Sequence, residues 1–372
     1  MKALVWHDVG KISLEQVPDP VVREPEDAVV RITTSAVCGT DLHYVHGTMP
    51  GMRPGTVLGH EAVGVVEEVG PRVRNFNPGD RVVVCSTIAC GHCVYCRAGY
   101  FSQCDVANPG GPAAGTASFG GPAATGAFDG LQAEFARIPY AHTVLVPIPP
   151  GVSDEQAVMV SDIFPTGWFG ARLAEVGNGD VVVVLGAGPV GQLAALAARM
   201  QGAGRVLIVD GNADRLETAR LQNAETIDYT AEDPVAAVKD LTGGIGADRV
   251  IEAVGIEALS PESASPGDAP AKALNWAVEM VDKAGTIGIV GVYPPGFDTF
   301  PLGTAMNRNL TVKAGNCDHR RYAPRLLSKI ATGGADPTTV LTQQEDLPHV
   351  IDAYQAFDRR EPGWTKVVLE LG

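Results

Sequence analysis

The sequence predicts an α/β protein in two parts, β-rich over roughly the first 150 residues and then a doubly wound parallel sheet covered by helices on both faces. Three observations predict it. The chain has 372 residues, 45% of them apolar and 19% charged, an ordinary globular composition with room for two cores. Its early apolar runs are short and punctuated by Gly, Pro and Asp, as strands joined by turns are. From about residue 155, helix-length stretches alternate with β-branched runs, which argues for parallel strands and crossover helices.

In order along the chain, the β-rich part offers AVVRITTSAV (28–37), AVGVVEEVG (62–70) and DRVVVC (80–85), with NPGD at 77–80 as a turn. Residues 108–130, rich in Gly, Pro and Ala and without a period, are expected to be an excursion loop. The strands of the second part are VVVVL (181–185), RVLIVD (205–210), RVIEAV (249–254) and GTIGIVG (285–291). EALSPESASPGDAPAK (257–272) is too polar for a core element and is expected to be an insertion. WTKVVLEL (364–371) is strand-like, and no repeat of solenoid length is present.

The formal charge is −15, from 28 Lys plus Arg against 43 Asp plus Glu, which opposes nucleic-acid and anionic-membrane partners. No apolar run is long enough to span a bilayer, and the N-terminus enters a strand-like pattern without an export segment. The expected location is the cytoplasm, where clustered cysteines are more often metal ligands than disulfides.

After VVVVL comes GAGPVG, so Gly186, Gly188 and Gly191 fill the G-x-G-x-x-G template, with Pro189 and Val190 between the last two. A strand precedes it, the helical QLAALAARM follows, and a second strand ends in Asp210, nineteen residues beyond Gly191. Gly186 suits a tight turn, Gly188 close approach of the backbone to a pyrophosphate, and Gly191 close packing of helix on strand. Asp210 would bind the adenosine ribose and repel a 2′-phosphate, which favours NAD over NADP, although Arg215 is near enough to reach a phosphate.

Cys90, Cys93, Cys96 and Cys104 follow C-x2-C-x2-C-x7-C, a closed four-thiolate site for structural zinc. An iron–sulfur ligand run also begins C-x2-C-x2-C but continues x3-C-P, whereas here seven residues intervene and Asp105 follows. The cluster reads as a staple, so the chemistry lies elsewhere. VCGTDLH (37–43) and LGHEAVG (58–64) supply Cys38 and His60, donors of the kind a catalytic zinc takes when a fourth position stays open.

The order CGTDLH, GHE, four cysteines, GAGPVG resembles the zinc-dependent medium-chain alcohol dehydrogenases over nearly the whole chain, and most closely the branch with bacterial alcohol dehydrogenases and formaldehyde dehydrogenases. The resemblance implies a GroES-like β-barrel catalytic domain at 1–162, completed by 316–372, and a Rossmann domain at 163–315. It implies Cys38, His60 and, from SDIFPTGW, Asp162 as catalytic zinc ligands, with Glu61 behind the metal and Asp41 orienting His60. Thr40 would bond the substrate oxygen and His43 finish a proton relay through the cofactor ribose. Thr166 and Val190 would flank the nicotinamide and Lys366 meet the pyrophosphate. Gly39 stands where many relatives carry a pyrophosphate-binding arginine, and Ser86 where they often carry a pocket phenylalanine, which implies a roomier or more polar site.

The expectation is hydride transfer between an alcohol or aldehyde and NAD, with two zinc ions per chain, in a homotetramer. The alternatives are a formaldehyde dehydrogenase or dismutase that retains its NAD, and a polyol or threonine dehydrogenase. A non-catalytic dinucleotide-binding protein with only structural zinc is opposed by the full set Cys38, His60 and Asp162.

Overall fold

The computed structural model describes residues 1–111, 115–258, 271–294 and 296–371. They form two compact units, Met1–Pro165 together with Cys317–Gly372, and Thr166–Asn316.

The first unit is built on one long strand, Ala28–Val37, whose β-branched residues are buried on both faces. It pairs antiparallel with Ala62–Val69, with Phe135–Ile138 and with Val367–Glu370. Two register shifts against Ala62–Val69 bend it, so that one strand serves three partners and the sheet curls. Arg81–Val84 and Leu145–Pro147 extend the sheet on one side and Gln343–Asp346 on the other. Val30, Ile32, Val66, Val82, Ile138 and Leu145 fill the core. The turn at 77–80 forms as expected, with the N–H of Asn77 donating to Asp80 Oδ2 and Gly79 at φ 95°. A smaller sheet joins the hairpin Lys2–Asp8 and Lys11–Gln16 to Thr56–Val57.

The stretch expected to be an excursion loop packs instead into this core. Residues 112–114 lie outside the described residues, but Ala117 and Phe119 are buried and Ser118 bridges Thr87. At Gly130 glycine serves close approach, since a Cβ there would lie 2.1 Å from the carbonyl oxygen of Leu58.

The second unit is a six-stranded, all-parallel sheet in the order Glu225–Asp228, Arg205–Asp210, Val181–Leu185, Ala247–Glu252, Val281–Ile289, Thr311–Ala314. The first three strands run outward in one direction and the last three in the other. The switch point therefore falls between Val181–Leu185 and Ala247–Glu252, and ligands of such sheets bind beyond the carboxyl ends there. Ala247–Glu252 stops two residues short of the expected 254 because the Glu252 carboxylate takes the N–H groups of Val254 and Gly255, at 2.8 and 2.7 Å. Of the expected insertion at 257–272, residues 259–270 lie outside the described residues, and Lys272 opens the helix Lys272–Met280. Among the described residues no helix is long and apolar enough to cross a membrane.

Candidate metal centres and dinucleotide loop

Cys38 ends the long strand and caps the helix Gly39–His46. Asp41 closes that helix start by accepting the N–H of Cys38 on Oδ2 at 3.0 Å. Its other oxygen lies 3.0 Å from His60 Nδ1, so Asp41 turns Nε2 of His60 toward the remaining ligands. His60 Nε2 and Asp162 Oδ2 are 3.4 Å apart. Bond lengths of about 2.0–2.1 Å to a tetrahedral metal give a nitrogen–oxygen edge of about 3.3 Å. Ligand atoms of Cys38, His60, Glu61 and Asp162 all lie within 4.8 Å of one another.

The electrostatics fit a cation. Burial opposes the charge on His60, but Asp41, Cys38 and Asp162 outweigh it and hold the imidazole well above its ordinary value. Burial likewise pushes Asp162 up, and His319 and His60 together hold it well below the usual carboxylate range. Burial pushes the Cys38 thiol up. Glu61 is fully buried with Oε2 2.6 Å from Lys366 Nζ, while its Oε1 has no partner. A largely buried sulfur, imidazole and carboxylate set beside an orphaned carboxylate oxygen is the donor chemistry of a divalent metal site.

In the four-cysteine lobe the Sγ atoms of Cys93 and Cys104 are 3.9 Å apart. A disulfide needs about 2.05 Å. A tetrahedral edge at a zinc–sulfur length of 2.3 Å is about 3.8 Å. Backbone N–H groups already donate to the sulfurs: His92 and Cys93 to Cys90, Cys96 to Cys93, and Cys90 and Ala107 to Cys104. Burial raises the Cys93 thiol, but hydrogen bonds from the N–H groups of Cys96 and Asp105 and from the Cys96 and Cys104 thiols outweigh it and bring it down to about 7. Burial leaves Cys90 at about 11. A metal would complete a charge-stabilising pattern already present. All seven cysteines are free thiols, and His92 is exposed.

The glycine loop fits a pyrophosphate. A Cβ on Gly191 would sit 1.8 Å from the Gly186 carbonyl oxygen, whereas one on Gly188 would meet nothing nearer than Arg215 Nη1 at 3.9 Å. Space therefore opens beside Gly188, at the uncapped start of the helix Pro189–Met200, and Arg215 borders it. Asp210 is pinned by the N–H groups of Ala187, Gly211 and Asn212, at 2.6, 2.7 and 2.8 Å. Pro189 and Val190 are half-buried on the first helical turn, as is Thr166.

Thr40 and His43 lie three residues apart on the helix Gly39–His46, on one face. His43 is buried, and its Nδ1 lies 3.1 Å from Thr48 Oγ1. The Thr48 hydroxyl also donates to the His43 carbonyl at 3.2 Å, which holds the imidazole beside it. Lys366 is a correction. Expected at a pyrophosphate, its ammonium is 0% exposed and bonded to Glu61 and, at 3.0 Å, to the Val37 carbonyl, so it neutralises Glu61 instead. Ser86, expected as a pocket position, donates to Asp162 Oδ1 at 3.3 Å. His319 was missed altogether: it stands alone in sequence, and its contact with Asp162 spans 157 residues.

Two family profiles match the chain, one described as "Alcohol dehydrogenase GroES-like domain" over residues 24–150 and one as "Zinc-binding dehydrogenase" over residues 189–265. An uncharacterized zinc-type alcohol dehydrogenase-like protein of Bacillus subtilis is 36% identical over 380 residues, covering 100% of each chain. A glutathione-independent formaldehyde dehydrogenase of Pseudomonas aeruginosa is 35% identical over 306 residues, covering 78% of this chain and 75% of that protein. Among solved structures, the alcohol dehydrogenase TADH from Thermus sp. ATN1 has a TM-score of 0.89 and 34% identity, covering 100% of both chains.

Proposed function

The chain belongs to the zinc-type alcohol dehydrogenase family and is a zinc-dependent oxidoreductase, and from that premise we propose that it moves hydride between an alcohol or aldehyde and NAD. The observation that carries the reading is the convergent triad Cys38, His60 and Asp162 with the unpartnered Oε1 of Glu61 beside it. Zinc held there supplies a Lewis acid for an alcohol or carbonyl oxygen, and NAD supplies the hydride acceptor.

The remaining work falls to the chain's own groups. Cys38, His60 and Asp162 bind the metal, and Asp41 fixes the His60 tautomer by taking its Nδ1–H. Glu61, neutralised by Lys366, stands in reserve as a further oxygen donor. The Thr40 hydroxyl bonds the substrate oxygen and takes up its proton, and the His43 imidazole ends the relay that carries the proton away. Gly188 and the first turn of Pro189–Met200 bind the pyrophosphate with Arg215 alongside, and Val190 and Thr166 border the nicotinamide. The Asp210 carboxylate, fixed by three N–H groups, accepts the ribose hydroxyls and repels a 2′-phosphate, hence NAD rather than NADP.

The four-cysteine lobe takes a second, structural zinc, giving two per chain. The homotetramer is the assembly the resemblance implies, and the exposed apolar side chains it could cover include Leu302 and Met306 on the helix Leu302–Asn307, Val312 on the edge strand Thr311–Ala314, and Val94, Tyr95 and Tyr100 on the lobe. A closed tetramer of this kind needs two different self-complementary patches. Seven free thiols favour the reducing cytoplasm. The Pseudomonas relative supports a second reading, a formaldehyde dehydrogenase or dismutase that keeps its NAD.

The test is to count metal per chain and then follow reduced nicotinamide with ethanol, benzyl alcohol, a polyol and formaldehyde, with and without added NAD. Two metals and NADH formed only on adding NAD are expected. Formaldehyde consumed without added NAD would favour the second reading. One metal and no turnover would remove the catalytic assignment.

A further inference from the structure

His319 lies outside every motif, at the start of the helix His319–Ala331. It is buried, with Nε2 2.6 Å from Asp162 Oδ1 and Nδ1 2.7 Å from Thr87 Oγ1. Asp162 thus carries His319 on one oxygen while the other faces His60. The preceding residue, Asp318, is also buried and accepts the N–H of Ser102 at 2.8 Å. Ser102 lies between Cys96 and Cys104, and Thr87 lies three residues before Cys90. Two neighbours at one helix start therefore hold a ligand of one metal site and the loop of the other.

We propose that His319 is a positioning residue for Asp162, and that Asp318 and His319 together make the four-cysteine lobe a mechanical support of the Cys38, His60 and Asp162 site. The inference rests on reading those three residues as metal ligands. A carboxylate, unlike a thiolate, can swing about its last torsion and present either oxygen. A hydrogen bond on Oδ1 leaves Oδ2 for the metal and stops that rotation, and Thr87 stops rotation of the imidazole in turn. If the lobe loosens, Ser102 releases Asp318, the helix start shifts, and Asp162 loses its brace.

The test uses the full chain with zinc exchanged for cobalt, reading chelator competition and the visible absorption of the mixed-donor site. His319→Ala is expected to weaken metal at that site about 10- to 100-fold and to shift its bands, with the lobe still loaded as the check on folding. His319→Gln, whose amide can donate to Asp162 from the same side, should recover most of the affinity and the band position. Asp318→Ala, which touches no member of the triad, should shift the same bands in the same direction. Unchanged affinity and spectrum in His319→Ala, or a Gln variant no better than Ala, would overturn the positioning role. An unaltered spectrum in Asp318→Ala would overturn the support by the lobe. If His319→Ala does not fold, the Gln and Asp318 variants decide. Wild-type protein that takes no metal at the triad would overturn the functional reading and this inference with it.

Discussion

At the scale of single residues, the buried ion pair of Lys366 and Glu61 has a stability cost that can be measured. Both side chains are 0% exposed and their atoms are 2.6 Å apart. Lys366→Met leaves Glu61 as an uncompensated buried acid, and breaking such pairs costs about 3–5 kcal/mol. Burial pushes the Lys366 ammonium down, and Glu61 outweighs it, so its folded-state value lies above the ordinary 10.5. Burial also raises the Glu61 carboxyl above its ordinary 4.5, so the pair's contribution fades as pH rises through the higher Lys366 value and is lost in acid as Glu61 protonates. Thermal unfolding of the variant and the wild type should differ most where Glu61 is ionised and Lys366 protonated, and converge both in acid and in strong alkali. A gap already closed at pH 8 would remove the pair from the account. The same residues mark where a sequence stops speaking. Cys38, His60 and the four clustered cysteines carry their meaning in neighbours a few positions away. Lys366 and Glu61 meet across 305 residues, and nothing beside either one predicts the other.

Among the elements, the glycine loop separates folding from binding. Gly191→Ala places a methyl 1.8 Å from the Gly186 carbonyl oxygen, so the loop must distort and stability should fall by about 1–3 kcal/mol. Gly188→Ala meets nothing within 3.9 Å, so melting should be unchanged while NADH affinity, read by fluorescence titration, drops as the methyl takes the phosphate's space. Equal loss of stability in both variants would contradict this division. The strands around the loop were legible because β-branched runs and turn residues repeat at crossover spacing. The stretch from 115 to 130 was not: glycine and alanine conceal one buried aromatic, Phe119, and close backbone approaches that no local pattern reports.

For the molecule as a whole, exposed apolar side chains test the proposed homotetramer. If Met306, on the helix Leu302–Asn307, and Val94, on the lobe, sit in two different interfaces of it, Met306→Glu and Val94→Glu should each halve the mass that light scattering finds. Unchanged mass in both variants would remove these residues from any interface. The fold class was legible at this scale from composition and alternation alone. That the first unit draws on both ends of the chain was expected from the resemblance, and its consequence concerns order in time. On the ribosome the continuous segment Thr166–Asn316 can close while the first unit waits. Ala28–Val37 emerges early, but Lys366 follows Val37 by 329 residues, at the start of the strand that must pair beside it. His319 arrives 157 residues after the aspartate it touches. The Cys38, His60 and Asp162 set, complete in sequence by residue 162, therefore gains its braces Lys366 and His319 only after the nucleotide half has been made, so the last step in maturing that site is the return of the chain's end.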